Sequence, residues 1–168
     1  MFDWWRRRRT LKTHAILWHQ HLMALARTPE IYQKKWVADD FDGRQNMVAL
    51  VATVLFRKFR QFDETGERMA DAVYKEIFSG FDHALREEGV GDASIARRMR
   101  KIGEHFFGLA QAMDQALKGT SAQAELERVI VRNVQTDAEL ASALAAWLIQ
   151  LDQQINLTTL APPVDSAA

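Results

Sequence analysis

Residues 81–117 read FDHALREEGVGDASIARRMRKIGEHFFGLAQAMDQAL. In the second part of this stretch Ile95, Met99, Ile102, Phe106, Leu109, Met113 and Leu117 recur at steps of four and three, which is the spacing of one face of an α-helix. The opposite face carries Arg97, Arg98, Arg100 and Lys101, with no acid among them. Upstream, Met69, Val73, Ile77, Phe81 and Leu85 repeat every four residues and predict an amphipathic helix over about 65–88. Between the two helices lies Gly89-Val90-Gly91-Asp92. Gly89 can take the left-handed conformation that closes a helix, and Asp92 can cap the next one. A joint this short folds the two helices into an antiparallel hairpin. Gly103 and Gly108 each cost about 1 kcal/mol relative to Ala in a helix interior, which suggests either a close helix contact or a tolerated flaw.

The rest of the chain follows the same pattern. Leu11, Ala15, Trp18, Leu22 and Leu25 predict a helix over about 8–27, ended by Pro29. A connection with Asp39, Asp40 and Asp42 leads to a helix over about 43–61, with Asp42 as its candidate cap. That helix is apolar almost all round from Met47 to Phe56, so it belongs at the centre of the fold. Thr120 with Gln123, and Thr136 with Glu139, have capping-box spacing. They open helices over about 121–133 and 137–155, the last striped by Leu140, Leu144, Trp147 or Leu148, Leu151 and Ile155. No period-2 run bounded by hairpin turns is found. The expected fold is all-α: one compact bundle of about six helices with a central buried helix. The expected organisation is a surface-binding segment at 1–9, a helical domain at 10–157 and a disordered tail at 158–168.

With 168 residues the chain suits one domain. It has no cysteine, which excludes disulfides, thiolate metal sites and cysteine nucleophiles. Its 22 basic and 22 acidic side chains cancel, but they are unevenly spread. Residues 1–60 hold twelve basic and five acidic groups, a balance of +7, while the later segments are acidic. The sharpest cluster is Trp4-Trp5-Arg6-Arg7-Arg8-Arg9. Indole rings favour a headgroup layer and guanidinium groups pair with phosphate, so these six residues are candidates for contact with a membrane or ribosome surface, with a plain solvated basic tail as the simpler alternative. The Met47–Phe56 run is far shorter than the roughly 20 residues that span a bilayer.

Few catalytic patterns are present. There is no phosphate-binding Gly-rich loop and no HExxH. None of His14, His19, His21, His83 and His105 has Glu three residues before it, against a di-iron bundle. His14 and His21 share a helix face and could form a weak metal patch, and Asp39, Asp40 and Asp42 could hold a cation. Surface histidines and turn-forming or capping acids explain both sets more simply.

Three stretches together carry a resemblance: ARTPEIY (Ala26–Tyr32), VADDFDGR (Val37–Arg44), and LRE-x-GVGD (Leu85–Asp92) followed by a basic helix and FFG (Phe106–Gly108). Over roughly residues 10–150 the chain resembles the ubiquinol–cytochrome c chaperone family, the assembly factors of the cytochrome bc1 complex. The resemblance implies an all-helical, non-enzymatic chaperone that attends newly made cytochrome b and requires no cofactor. It implies contact with the ribosomal exit region or a small co-chaperone, and no DNA. The partner-binding set implied is Asp42, Gly43, Arg44, Arg86, Glu87, Gly89, Gly91, Asp92, Arg97, Arg98, Arg100 and Lys101. A bacterial protein peripheral on the inner face of the cytoplasmic membrane is the simpler location, with the mitochondrial matrix side as its eukaryotic equivalent. The competing readings are a haem- or metal-handling bundle and a ribosome or RNA adaptor.

Overall fold

In a computed structural model the chain runs as α1 (Phe2–Ala26), α2 (Pro29–Gln33), α3 (Phe41–Phe59), a 3-10 turn (Arg60–Phe62), α4 (Asp63–Glu87), α5 (Asp92–Lys118), α6 (Ala122–Val134) and α7 (Ala138–Gln154). The structure describes the backbone of residues 2–134 and 136–163, and the side chains of 9–134 and 136–163. All regular structure among the described residues is helical, as the periodicity predicts. The six long helices match the six expected ones to within a few residues, except that α1 begins at Phe2. The addition is α2, where the sequence suggests only a connection. Pro29 opens it at a position whose missing N–H costs no helical hydrogen bond, and Ile31, fully buried, anchors it.

The chain divides into two units. One comprises Met1–His21, Phe59–Gly103 and Leu157–Ala168; the other comprises Leu22–Lys58 and Glu104–Asn156. In the first, the indole of Trp18 meets the ring of Phe59 edge-on with centroids 5.1 Å apart. The α4 stripe of Met69, Val73, Ile77, Phe81 and Leu85 is buried as expected. The first turns of α5 run back along α4. Phe78 Cε1 lies 3.7 Å from the point where a side chain at Gly103 would begin, and both residues stand about a dozen positions from the joint, so the pair is antiparallel. Because 3.7 Å is ordinary van der Waals distance, Gly103 is not required by close approach, and a side chain at Gly108 would meet nothing within 4 Å. The close contact expected at these two glycines is therefore absent. Also in this unit, Trp18 Nε1 donates to the Leu160 carbonyl at 3.0 Å, and Pro162 is buried. The expected tail is thus tied at one point before residue 163.

In the second unit every residue of α3 from Gln45 to Leu55 is buried, the all-round burial its composition predicts. Its polar members are satisfied. Thr53 Oγ1 donates to the Ala49 carbonyl at 2.8 Å, and Asn46 Oδ1 lies 2.6 Å from His105 Nε2. Helices α6 and α7 are joined by Gln123 Nε2, which donates to the Ser142 carbonyl at 3.0 Å. On α7 the stripe runs through Leu148, fully buried, rather than Trp147.

Helix starts differ from expectation by a residue or two. Asp137, not Thr136, caps α7 by accepting from Leu140 N at 2.9 Å. Gln123 spends its amide on Ser142 instead of returning to Thr120. The α3 start is capped by Asp40, whose Oδ1 accepts from Gly43 N at 2.8 Å, while Asp42 lies exposed in the first turn. Among the described residues no helix is long and apolar enough to cross a membrane.

Candidate functional site

The joint between α4 and α5 closes as a Schellman motif. Gly89 has φ +78°, Gly89 N donates to Arg86 O at 3.0 Å, and Val90 N donates to Leu85 O at 3.1 Å. Gly91 opens α5 by accepting from Ser94 N and Ile95 N at 2.8 and 3.1 Å. Asp92 is consequently not the cap it resembles, being already inside the first turn. Its carboxylate instead accepts from Arg86 Nη1 at 2.6 Å, while Arg86 Nε donates to Asp82 Oδ2 at 2.8 Å. Arg86 therefore forks across the joint and ties the last turn of α4 to the first turn of α5. These hydrogen bonds hold the guanidinium still more firmly protonated than usual. Glu87 lies 3.3 Å from His83 Nε2 one turn back.

From this clamp α5 presents its basic face. Arg97, Arg98, Arg100 and Lys101 are all exposed, whereas Ile95 and Ile102 on the opposite side are buried. At about 100° per residue the four cations cover an arc of roughly 160°. Arg86, Glu87, Gly89, Gly91, Asp92 and these four cations all belong to the unit that contains Phe59–Gly103.

Asp42, Gly43 and Arg44 belong to the other unit. Gly43 is buried where the backbone passes closely, since a Cβ there would stand 2.0 Å from the Ala38 carbonyl oxygen. Arg44 Nε donates to Asp39 Oδ1 at 2.8 Å, which again keeps the arginine firmly protonated. The acidic run is thus occupied: Asp39 holds Arg44 and Asp40 caps α3. Beside the pair opens a cleft of about 590 Å³ lined by Arg27, Pro29, Tyr32, Gln33, Asp39 and Arg44. Tyr32 donates its hydroxyl proton to the Ala26 carbonyl at 2.8 Å. Burial pushes the phenol up from its ordinary value, against the pull of Arg44 and Arg27.

Two of the quoted stretches, ARTPEIY and VADDFDGR, therefore meet at one cleft. Arg27 and Tyr32 are the residues that sequence reasoning quoted without giving them a role. The signal available was the dense punctuation around Pro29, which ends α1 and turns the chain back. A second missed feature is Phe107, 60% exposed on α5. For the basic start, Trp4, Trp5, Arg6, Arg7 and Arg8 have side chains outside the described residues; Arg9 is exposed. Among the described residues no group of three or more His, Asp or Glu is placed to share a metal ion.

The family model described as "Ubiquinol-cytochrome C chaperone" matches residues 33–160. No curated protein matches the sequence. Among solved structures, one described as the crystal structure of the Cbp3 homolog from Brucella abortus superposes with a TM-score of 0.80 at 24% identity. It covers 96% of this chain and 92% of its own, so the all-helical fold is shared almost end to end. With more than half of its length matched by the family model, and with the Asp42–Arg44 and Leu85–Asp92 stretches both inside the match, the chain belongs to the ubiquinol–cytochrome c chaperone family.

Proposed function

We propose that this chain binds newly made cytochrome b and holds it for assembly into the ubiquinol–cytochrome c reductase complex, acting as a non-enzymatic chaperone. The observation that carries the reading is the family match over residues 33–160. The fold shared with a Cbp3 homolog agrees with it. A transmembrane client exposes segments of about 20 apolar residues until it is inserted, and such surfaces associate non-specifically. A partner that covers them needs adaptable apolar contacts and a polar means of staying near the membrane.

In this reading Phe107 is an apolar contact, and the α5 face of Arg97, Arg98, Arg100 and Lys101 docks a charged partner. The clamp of Arg86 and Asp92, with Glu87, Gly89 and Gly91, fixes that face in direction. Asp42, Gly43 and Arg44 shape the second contact. Trp4, Trp5 and Arg6–Arg9 hold the chain at an anionic surface, each basic group contributing about 1 kcal/mol. The location follows: peripheral, on the face of the membrane where cytochrome b is made, beside the ribosomal exit or a small co-chaperone.

Deletion of the gene tests the reading. Cytochrome b detected by difference spectroscopy and the assembled complex on native gels should both fall, and the intact gene should restore them. A strain that lacks the gene and keeps both at parental levels overturns it. Ribosome profiling with the tagged chain reports the client: ribosomes translating cytochrome b should be enriched. Equal recovery of all ribosomes, abolished by salt, would favour a general RNA adaptor instead.

A further inference from the structure

We propose that the cleft beside α2 binds the carboxylate of an acidic peptide, gripped between Arg27 and Arg44. The cleft holds two guanidinium groups and one carboxylate. Asp39 takes the Nε donor of Arg44, and the terminal nitrogens of that fork keep their donors for a ligand. Arg27 is exposed and has no side-chain partner among the described residues. Both cations line the same cleft, with Tyr32 in its wall. Tyr32 already donates its hydroxyl hydrogen bond to the Ala26 carbonyl and, with Pro29, offers ring surface to the aliphatic part of the ligand. The Gln33 amide adds a neutral donor.

Charge balance selects the ligand. The lining carries one net positive charge, which one carboxylate neutralises. A phosphate monoester brings about two negative charges at neutral pH and would overshoot. Exposure selects its form. Of the six lining residues only Tyr32 is half-buried and the others are exposed. Enclosed small-molecule sites bury most of their ligand, whereas this one is accessible to a side chain on a longer peptide. Guanidinium and carboxylate match as paired forks, which gives direction as well as attraction.

The inference rests on the reading of Asp42–Arg44, in the first turn of α3, as a partner contact and names the chemistry of that partner. Its test uses the full chain, labelled with ¹⁵N, titrated with three probes: acetyl-Ala-Glu-Ala-amide, its Gln counterpart and inorganic phosphate. The Glu peptide should move the Nε–Hε signals of Arg27 and Arg44 together. The Gln peptide should bind about tenfold more weakly or worse. Arg27→Gln should weaken the Glu peptide severalfold and Arg27→Lys less, while Arg132→Gln, an exposed position on α6, should leave it unchanged. Equal binding of the Glu and Gln peptides, tighter binding of phosphate, or no movement of the two arginine signals overturns the assignment. Any of those results leaves the chaperone reading standing, because that reading falls only with the deletion strain.

Discussion

Arg57 Nη1 donates to Asp114 Oδ1 at 2.7 Å, joining the end of α3 to α5, with 18% and 14% of the two side chains exposed. Asp152 on α7 completes the cluster, 3.4 Å from both Arg57 Nε and Lys58 Nζ. Two cations at the C-terminal end of α3 also oppose its macrodipole. Removing Asp114 leaves Arg57, largely out of water, with only the longer contact to Asp152, and a buried cation so under-paired costs more than the pair itself contributes. Asp114→Ala should therefore destabilise the protein by about 2–3 kcal/mol. The double change Arg57→Met with Asp114→Leu should stay within about 1 kcal/mol of the parent. Urea denaturation checks both. A midpoint unmoved by Asp114→Ala would show that water already screens the pair.

Two helix ends close with the same hydrogen-bond pattern but different residues at the left-handed position. After α4 it is Gly89, with φ +78°. After α2 it is Lys35, with φ +56°, where Lys35 N donates to Tyr32 O and Trp36 N to Ile31 O, each at 3.0 Å. A side chain in this conformation costs roughly 1 kcal/mol. Lys35→Gly should therefore stabilise the protein by about 0.5–1 kcal/mol and Gly89→Ala should destabilise it by about 1 kcal/mol. Gly91, whose φ is not positive, is the control: Gly91→Ala should change little. Thermal midpoints suffice, at roughly 2–4 °C per kcal/mol for a chain of this size. Gly43→Ala is a separate case, since its Cβ would overlap the Ala38 carbonyl oxygen at 2.0 Å. It should be the most destabilising of the four.

The elements that could be read from sequence are those whose signal is periodic or local. The stripe of α4 is buried where the spacing puts it, as is that of α5 apart from the half-buried Met99 and Leu117, and α3 is buried all round because eleven neighbouring positions leave no polar face. The observed caps, Asp40 and Asp137, lie one or two residues from the positions the sequence predicts because Asp39, Asp40, Asp42, Thr136 and Asp137 all suit the role chemically; backbone direction at the junction decides among them. Helix α2 is too short to show a period. The cleft was illegible for a related reason. Arg27 and Tyr32 come to line the same cleft as Arg44 only through the turn at 34–40, whose course depends on Lys35 at positive φ and the burial of Ile31 and Trp36. Arg86 stands out in the sequence within LRE-x-GVGD, but its fork to both Asp82 and Asp92 needs the completed Schellman turn.

Trp18 is 1% exposed and its indole N–H has Leu160 O as partner, 142 residues away in sequence. Ending the chain after Leu157 removes that acceptor. A buried donor left unsatisfied costs about 1–3 kcal/mol. The truncated chain should therefore denature at lower urea. In a Trp18→Phe background the same truncation should cost less, because the donor is already gone. The difference between the two backgrounds isolates the hydrogen bond from the packing of Pro162. Equal losses in both would assign the whole effect to packing.

Glu127 supplies a pH dependence whose sign follows from its partners. Ser142 Oγ and Gln123 Nε2 each donate to Glu127 Oε1 at 2.7 Å. Both bonds favour the ionised carboxylate, so its pKa lies below the ordinary glutamate value, with Ser142 the larger cause and Gln123 the next. In the unfolded chain the bonds are absent and the ordinary value returns. A folded-state pKa below the unfolded one gives a contribution to stability that is complete above the unfolded pKa. It fades as pH falls through the folded one, because protonation then removes the acceptor the two donors require. Ser142→Ala should raise the Glu127 pKa toward its ordinary value, read from the side-chain carboxyl carbon shift in an NMR titration. It should also flatten the acid limb of the stability profile between the two pKa values. Because α6 and α7 meet at this network, Gln123→Ala should move the pKa in the same direction by less. A Glu127 that titrates identically in the parent and both variants would mean that the hydrogen bonds seen between the helices are not held in solution.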